Sequence, residues 1–163
     1  MVYNKAVITL LNIFLKGKEM DTEIKEAISG GDSLAIARAV VDVLVEKRGI
    51  DVRMYDVCES SSITDYYVVA TGRSANNTTA LAGYVTDKLS LLGVFEKHIE
   101  GRAGGNWVLV DYGDVIVHIF DKESREFYNF DRLMPGEAQV DISDIVAAVD
   151  ERLQVSKKIE KED

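Results

Sequence analysis

Asn106-Trp107-Val108-Leu109-Val110-Asp111-Tyr112-Gly113-Asp114-Val115-Ile116-Val117-His118-Ile119-Phe120 is the stretch that decides the fold. Val108 to Asp111 and Val115 to Phe120 are rich in β-branched and apolar residues. Tyr112-Gly113-Asp114 between them supplies a turn in which Gly113 is free to take a positive φ, so the stretch reads as a β-hairpin. Its apolar side chains occupy successive positions rather than alternate ones. Such strands need cover on both faces, which places the hairpin inside a sheet with helices on at least one side. The unusual side chains gather here too: the only tryptophan, Tyr112, two carboxylates and one of two histidines lie between Trp107 and His118.

Upstream, Tyr66 to Thr71 is apolar enough for a central strand, and Gly72 ends it. Ser74 then caps a helix whose buried face is Leu81, Val85, Leu89 and Leu92, with Gly93 just past its end. Glu96 to Glu100 reads as a short strand, and Gly101 to Gly105 as a flexible loop into the hairpin. Earlier still, the Ser33 hydroxyl opens a helix with Leu34, Ala37, Val40, Val41, Leu44 and Val45 at three-and-four spacing, closed by Arg48-Gly49. Ile50 to Val57 alternates as an edge strand does.

Downstream, Asp121 to Tyr128 suits a short helix, after which Phe127, Tyr128, Phe130 and Leu133 offer apolar groups to pack back onto the sheet. Pro135-Gly136 breaks the chain. Val140, Ile142, Ile145, Val146, Val149 and Leu153 mark another amphipathic helix, and Ser156 to Asp163 reads as a frayed, charged end. The sum is an α/β fold: a mixed sheet of about five strands flanked by helices.

The 163 residues suffice for one domain with its own core. Residues 33–134 carry it, 135–163 form a C-terminal extension, and 1–32 form an N-terminal one. In the latter, Ala6 to Leu15 is apolar but too short to span a bilayer, and Met20 is an alternative start. With 28 acidic and 19 basic residues the net charge is -9, the wrong sign for a broad grip on phosphate backbones. The single cysteine, Cys58, leaves no partner for an intramolecular disulfide and fits a reducing cytoplasm.

Each candidate site has a plain alternative. Gly72-Arg73-Ser74 at a helix start can hold an anion, yet it lacks the spacing of a P-loop or dinucleotide fingerprint, and a plain strand stop and cap is the favoured reading. Metal-dependent nucleotidyl transfer calls for carboxylates two apart on one strand; Asp111 and Asp114 are three apart across a turn. Cys58 with His118 is a conceivable nucleophile pair, but a small buried hydrophobe and a hydrogen-bonded structural histidine are the favoured readings. His98 and His118 have no recognisable zinc spacing. Trp107 and Tyr112, aromatic residues beside charges, suit a protein-binding anchor, although Trp107 in the core is an equal reading.

Three runs together resemble a family. Ser61-Ser62-Ile63-Thr64-Asp65-Tyr66-Tyr67-Val68-Val69-Ala70-Thr71-Gly72-Arg73-Ser74, then Glu100-Gly101 with Trp107 to Phe120, then Arg125-Glu126-Phe127-Tyr128 are similar to the ribosomal silencing factor, or Iojap-related, family. The match covers roughly Ser33 to Met134.

The resemblance implies a non-enzymatic repressor of translation with no cofactor or metal. It implies binding to the large ribosomal subunit through the fourteenth large-subunit protein, which blocks joining of the small subunit when nutrients are short. It also implies a nucleotidyltransferase-like sandwich without the catalytic carboxylates. Carried over by position, Trp107, Asp111, Tyr112, Gly113 and Asp114 are the partner-binding residues, with no direct nucleic-acid grip and a homodimer as an option for the free chain. Asp65 is then a structural acceptor tying the loop before Tyr66. Ser74 is followed here by Ala75-Asn76-Asn77, where members commonly carry arginine and glutamine, so contacts by that arginine are not carried over. The competing reading is a nucleotide-binding or nucleotidyl-transfer enzyme using Gly72, Ser74 and Asp114.

Overall fold

The structure, a computed structural model, describes residues 22–162. The apolar run Ala6 to Leu15 and the alternative start at Met20 lie outside them. In chain order the elements are α1 (Thr22–Ser29), α2 (Ser33–Glu46), β1 (Ile50–Asp56), β2 (Tyr66–Gly72) and α3 (Ala75–Leu91). Then come β3 (His98–Glu100), β4 (Trp107–Asp111), β5 (Val115–Asp121), α4 (Lys122–Tyr128), two 3-10 turns (Phe130–Leu133 and Gly136–Ala138), β6 (Gln139–Val140) and α5 (Ser143–Glu162).

Six strands, rather than about five, form one mixed sheet in the order β3-β4-β5-β2-β1-β6. The extra one is the two-residue β6, too short to leave a periodic signature, which closes the edge beside Met54 and Tyr55. The quoted stretch is the hairpin β4-β5, paired from Trp107↔Phe120 to Asp111↔Ile116. β2 runs parallel to β5, and every other neighbouring pair is antiparallel. This central parallel pair is buried at nearly every position, which is why neither strand alternates in sequence.

Side chains on one face of the sheet (Met54, Val68, Ala70, Val108, Val110, Val117, Ile119) meet α2, α3 and α5 in the larger core. The opposite face carries Tyr55, Tyr67, Val69, Trp107 and Phe120 under the chain between α4 and β6.

Several local expectations change. Asp32, not Ser33, caps α2, its carboxylate accepting from the Ala35 amide at 2.9 Å. After α2 the left-handed residue is Arg48 (φ 65), while Gly49 is needed for space, since a Cβ there would lie 2.9 Å from the Leu44 carbonyl oxygen. Ser74 does cap α3, accepting from the Asn77 amide, and Gly93 (φ 82) follows its end. α5 stays helical through the charged stretch to Glu162 instead of fraying at Ser156.

The C-terminal stretch joins the same core. Ile145, Ala148 and Val149 are buried against α2, and each fully buried aliphatic contributes about 2 kcal/mol. Ion pairs flank that seam: Arg38 with Asp144, and Arg152 with Asp42 at 3.1 Å and with Glu46 at 3.5 Å. Burial of Asp42 outweighs the opposing arginine and lifts its carboxyl to about 6.

Candidate docking surface

Four strands present one residue each along a single row on the face opposite α2 and α3: Ile50, Thr71, Phe120 and Trp107 are successive register partners. At about 4.8 Å per strand the row spans about 14 Å. α4 lies over it. Asp121 caps this helix by accepting from the Ser124 amide, and Asn129 (φ 47) ends it.

The inward residue of α4 is Arg125, which is buried. Its guanidinium donates to both Asp131 carboxylate oxygens at 3.0 and 3.1 Å, to the Thr71 hydroxyl at 3.0 Å and to the Asp51 carbonyl at 2.7 Å. Burial pushes the Asp131 carboxyl up, but hydrogen bonds from Arg125 and Tyr55 and both arginine charges hold it below the ordinary carboxylate range. A planar fork bonded on every side fixes α4 against the sheet.

That orientation turns aromatic residues outward. Phe127 (81% exposed) and Leu133 (72%) do not pack back onto the sheet as their sequence suggests; Phe130 does, and Tyr128, 51% exposed, does so with one face of its ring. Tyr128 rests on Trp107 with ring centroids 4.7 Å apart, Trp107 rests on Phe120 at 4.9 Å, and Phe127 meets Tyr128 edge-on at 5.1 Å. Together they form a ladder of rings running from the core to solvent. Trp107 is its half-buried middle rung, both core and surface.

His118 lies beneath this ladder, its ring 4.4 Å from Phe130 and 5.5 Å from Tyr67. The Trp107 indole donates to its Nδ1 at 3.0 Å, and burial lowers the imidazole to about 4. It is a neutral structural acceptor.

The other expected site residues lie at the far end of β4, about 14 Å from Trp107. Asp111 spends one carboxylate oxygen on the Gly113 amide at 2.6 Å, and Gly113 takes φ 89, so both are occupied in making the turn. Tyr112 is 7% exposed in the larger core, its hydroxyl buried without a partner among the described residues; burial and then the Glu96 charge raise it. Asp114 is exposed, and its carbonyl ties down the amides of Asp65 and Tyr66. Asp65 therefore anchors its loop through the backbone. Trp107 and the group Asp111 to Asp114 make two separate places.

The enzyme constellation does not assemble either. Tyr66 is paired with Val115 and Gly72 with Asp121, so Asp114 and the Gly72-Ser74 turn sit at opposite ends of β2 and β5, about 20 Å apart. Cys58 is exposed rather than buried, and partial desolvation at the surface together with the neighbouring Asp56 raises its thiol to about 11, far from a thiolate. His98 pairs with Glu100 at 2.8 Å on the edge strand. Among the described residues no three His, Cys, Asp or Glu side chains are placed to share a metal ion, and no helix is long and apolar enough to cross a membrane.

Phe127 and Tyr128 are the residues that sequence reasoning missed as surface. The signal was Arg125: once it faces inward, Phe127 lies about 200° round the helix and must face out.

Comparison with known proteins fits this geometry. The family model "Ribosomal silencing factor during starvation" matches residues 31–163. The ribosomal silencing factor of Bacillus subtilis is 37% identical over 100 residues, 61% of this chain and 82% of that protein. The mouse protein named mitochondrial assembly of ribosomal large subunit protein 1 is 27% identical over 97 residues, 58% of this chain and 42% of that one. A crystal structure from Chromobacterium violaceum superposes with a TM-score of 0.62 at 34% identity, covering 63% of this chain and 86% of that one. With the sheet, the hairpin and the signature runs in place, the chain belongs to the ribosomal silencing factor family.

Proposed function

We propose that the chain docks on the large ribosomal subunit through its fourteenth large-subunit protein and keeps the small subunit from joining, repressing translation in the cytoplasm when nutrients are limiting. The observation that carries the reading is the exposed pair Phe127 and Tyr128, with Tyr128 resting on Trp107 and Phe127 edge-on to Tyr128. Rigid, solvent-facing aromatics on a braced helix are what a protein partner selects as anchors. The acidic body suits a basic ribosomal protein, and charge complementarity speeds encounter without a broad phosphate grip.

Asp114, exposed at the other end of the hairpin, supplies a carboxylate for a partner lysine or arginine, while Asp111, Tyr112 and Gly113 shape the turn that presents it. Bulk then does the rest: a folded body on the joining face bars the bridges between subunits, and no bond is made or broken. The aromatic face also offers itself to a second copy, so a homodimer of the free chain competes with docking.

The test is co-sedimentation with purified large subunits followed by light scattering of subunit joining, using wild type and Phe127→Ala. Wild type pelleting and blocking joining while the folded variant does neither supports the reading. A wild-type chain that stays in the supernatant refutes it.

A further inference from the structure

Beside the aromatic patch, across α4, lies a cavity of about 580 Å³. Its floor is Ile50 and Thr71 of the same sheet row, and its walls carry Arg53, Arg73, Lys122 and Arg125. Arg53 and Arg125 are balanced by Asp51 and Asp131. Arg73 and Lys122 are different: both are exposed and neither makes an ion pair among the described residues, with Glu126 the one remaining carboxylate of the lining. In a chain of net charge -9 this is a local positive site.

Strand register explains why the two cations meet. Gly72 is paired with Asp121 at the carboxyl ends of the parallel strands, so Arg73 and Lys122 each follow directly on that last rung, and both line the cavity. The crevice outside such strand ends is where open α/β sheets take ligands. One oxyanion fits between two cationic side chains placed this way.

We infer that this cavity takes a backbone phosphate of ribosomal RNA when the chain docks, with Arg73 and Lys122 closing on its two non-bridging oxygens. The inference rests on the docking reading above. Glu126 and Asn129 line the cavity while their neighbours Phe127 and Tyr128 form the patch, so a body seated on the patch covers the cavity mouth. A free nucleotide is the poorer occupant: among the described residues Ile50 is the single apolar side chain of the lining, and none supplies a ring for a base to stack on.

Affinity for purified large subunits, measured between 50 and 200 mM salt, tests this with four chains: wild type, Arg73→Ala/Lys122→Ala, Arg73→Lys/Lys122→Arg and Phe127→Ala. The double alanine chain is expected to bind about tenfold more weakly at low salt, with the slope of log affinity against log salt reduced by about one to two. The charge-conserving chain keeps the slope; Phe127→Ala loses affinity without changing it. Wild-type affinity and slope in the double alanine chain overturn the phosphate contact and leave the docking reading standing. A wild type that fails to bind overturns both. Saturable, micromolar binding of ATP to the isolated chain that large subunits do not displace assigns the cavity to a free nucleotide and overturns the RNA contact.

Discussion

The indole Nε1–H of Trp107 donates to Nδ1 of His118 at 3.0 Å, which fixes the histidine as the neutral tautomer protonated at Nε2. Its ring is held at about 4 by burial, against 6.5 when unfolded. A depressed folded value gives stability that is fully present above pH 6.5 and is lost as pH falls toward 4, a change of about 3 kcal/mol. Asp42 works the other way: raised from 3.8 to about 6, it gives stability present below pH 3.8 and lost as pH rises through 6. The two nearly cancel. Chemical denaturation between pH 7 and 4 should therefore show a shallow profile for these groups in wild type. His118→Phe should gain stability relative to wild type on acidification, and Asp42→Asn should lose it.

Truncating Trp107 is a poor test of docking. Trp107→Ala removes ring contacts with Phe120 and Tyr128 and strands the His118 acceptor, at a cost of about 3 kcal/mol to the fold. Phe127→Ala, at an exposed ring, should change stability by less than about 0.5 kcal/mol and still weaken subunit binding about tenfold or more. Thermal melts beside sedimentation separate the two effects. Equal binding by wild type and Phe127→Ala would remove Phe127 from the interface.

Gly72→Ala should destabilise by about 3 kcal/mol or more. A Cβ there would lie 2.8 Å from the Thr78 amide nitrogen and 2.9 Å from its Cα, within the first turns of α3, and neither can move without lifting the helix from β2. If Gly72→Ala melts like wild type, close strand–helix approach is not what the glycine provides.

Cutting the chain after Met134 should abolish cooperative folding, because it strips Ile145, Ala148 and Val149 from α2 and takes away Arg152 and Asp144. Cutting after Ser156 removes only exposed turns and should cost under about 1 kcal/mol. Circular dichroism melts of the two chains decide it.

The hairpin, the βα unit and both capped ends of α3 were legible because each is written in local chemistry: a β-branched run, Ser74, Gly93. β6 was not, since two residues carry no period. The packing of α5 on α2 was hidden for a different reason: Arg152 and Asp144 look solvated in sequence, and only the fold brings Asp42 and Arg38 opposite them. The site failed on geometry in the same way. Trp107 and Asp114 are seven positions apart along the chain yet mark opposite ends of the hairpin, while Phe127, twenty positions from Trp107, lands near it through Tyr128.

The row Ile50, Thr71, Phe120 and Trp107 also carries a timetable. Its members enter the chain across some seventy positions, and the helix that crowns it follows only after all four. During synthesis the first half of the protein can collapse around α2 and β1, but it exposes no ring ladder and no paired cations until β5 and α4 have left the exit tunnel. On the docking reading, a ribosome making this protein meets no assembled docking face before the chain is nearly complete.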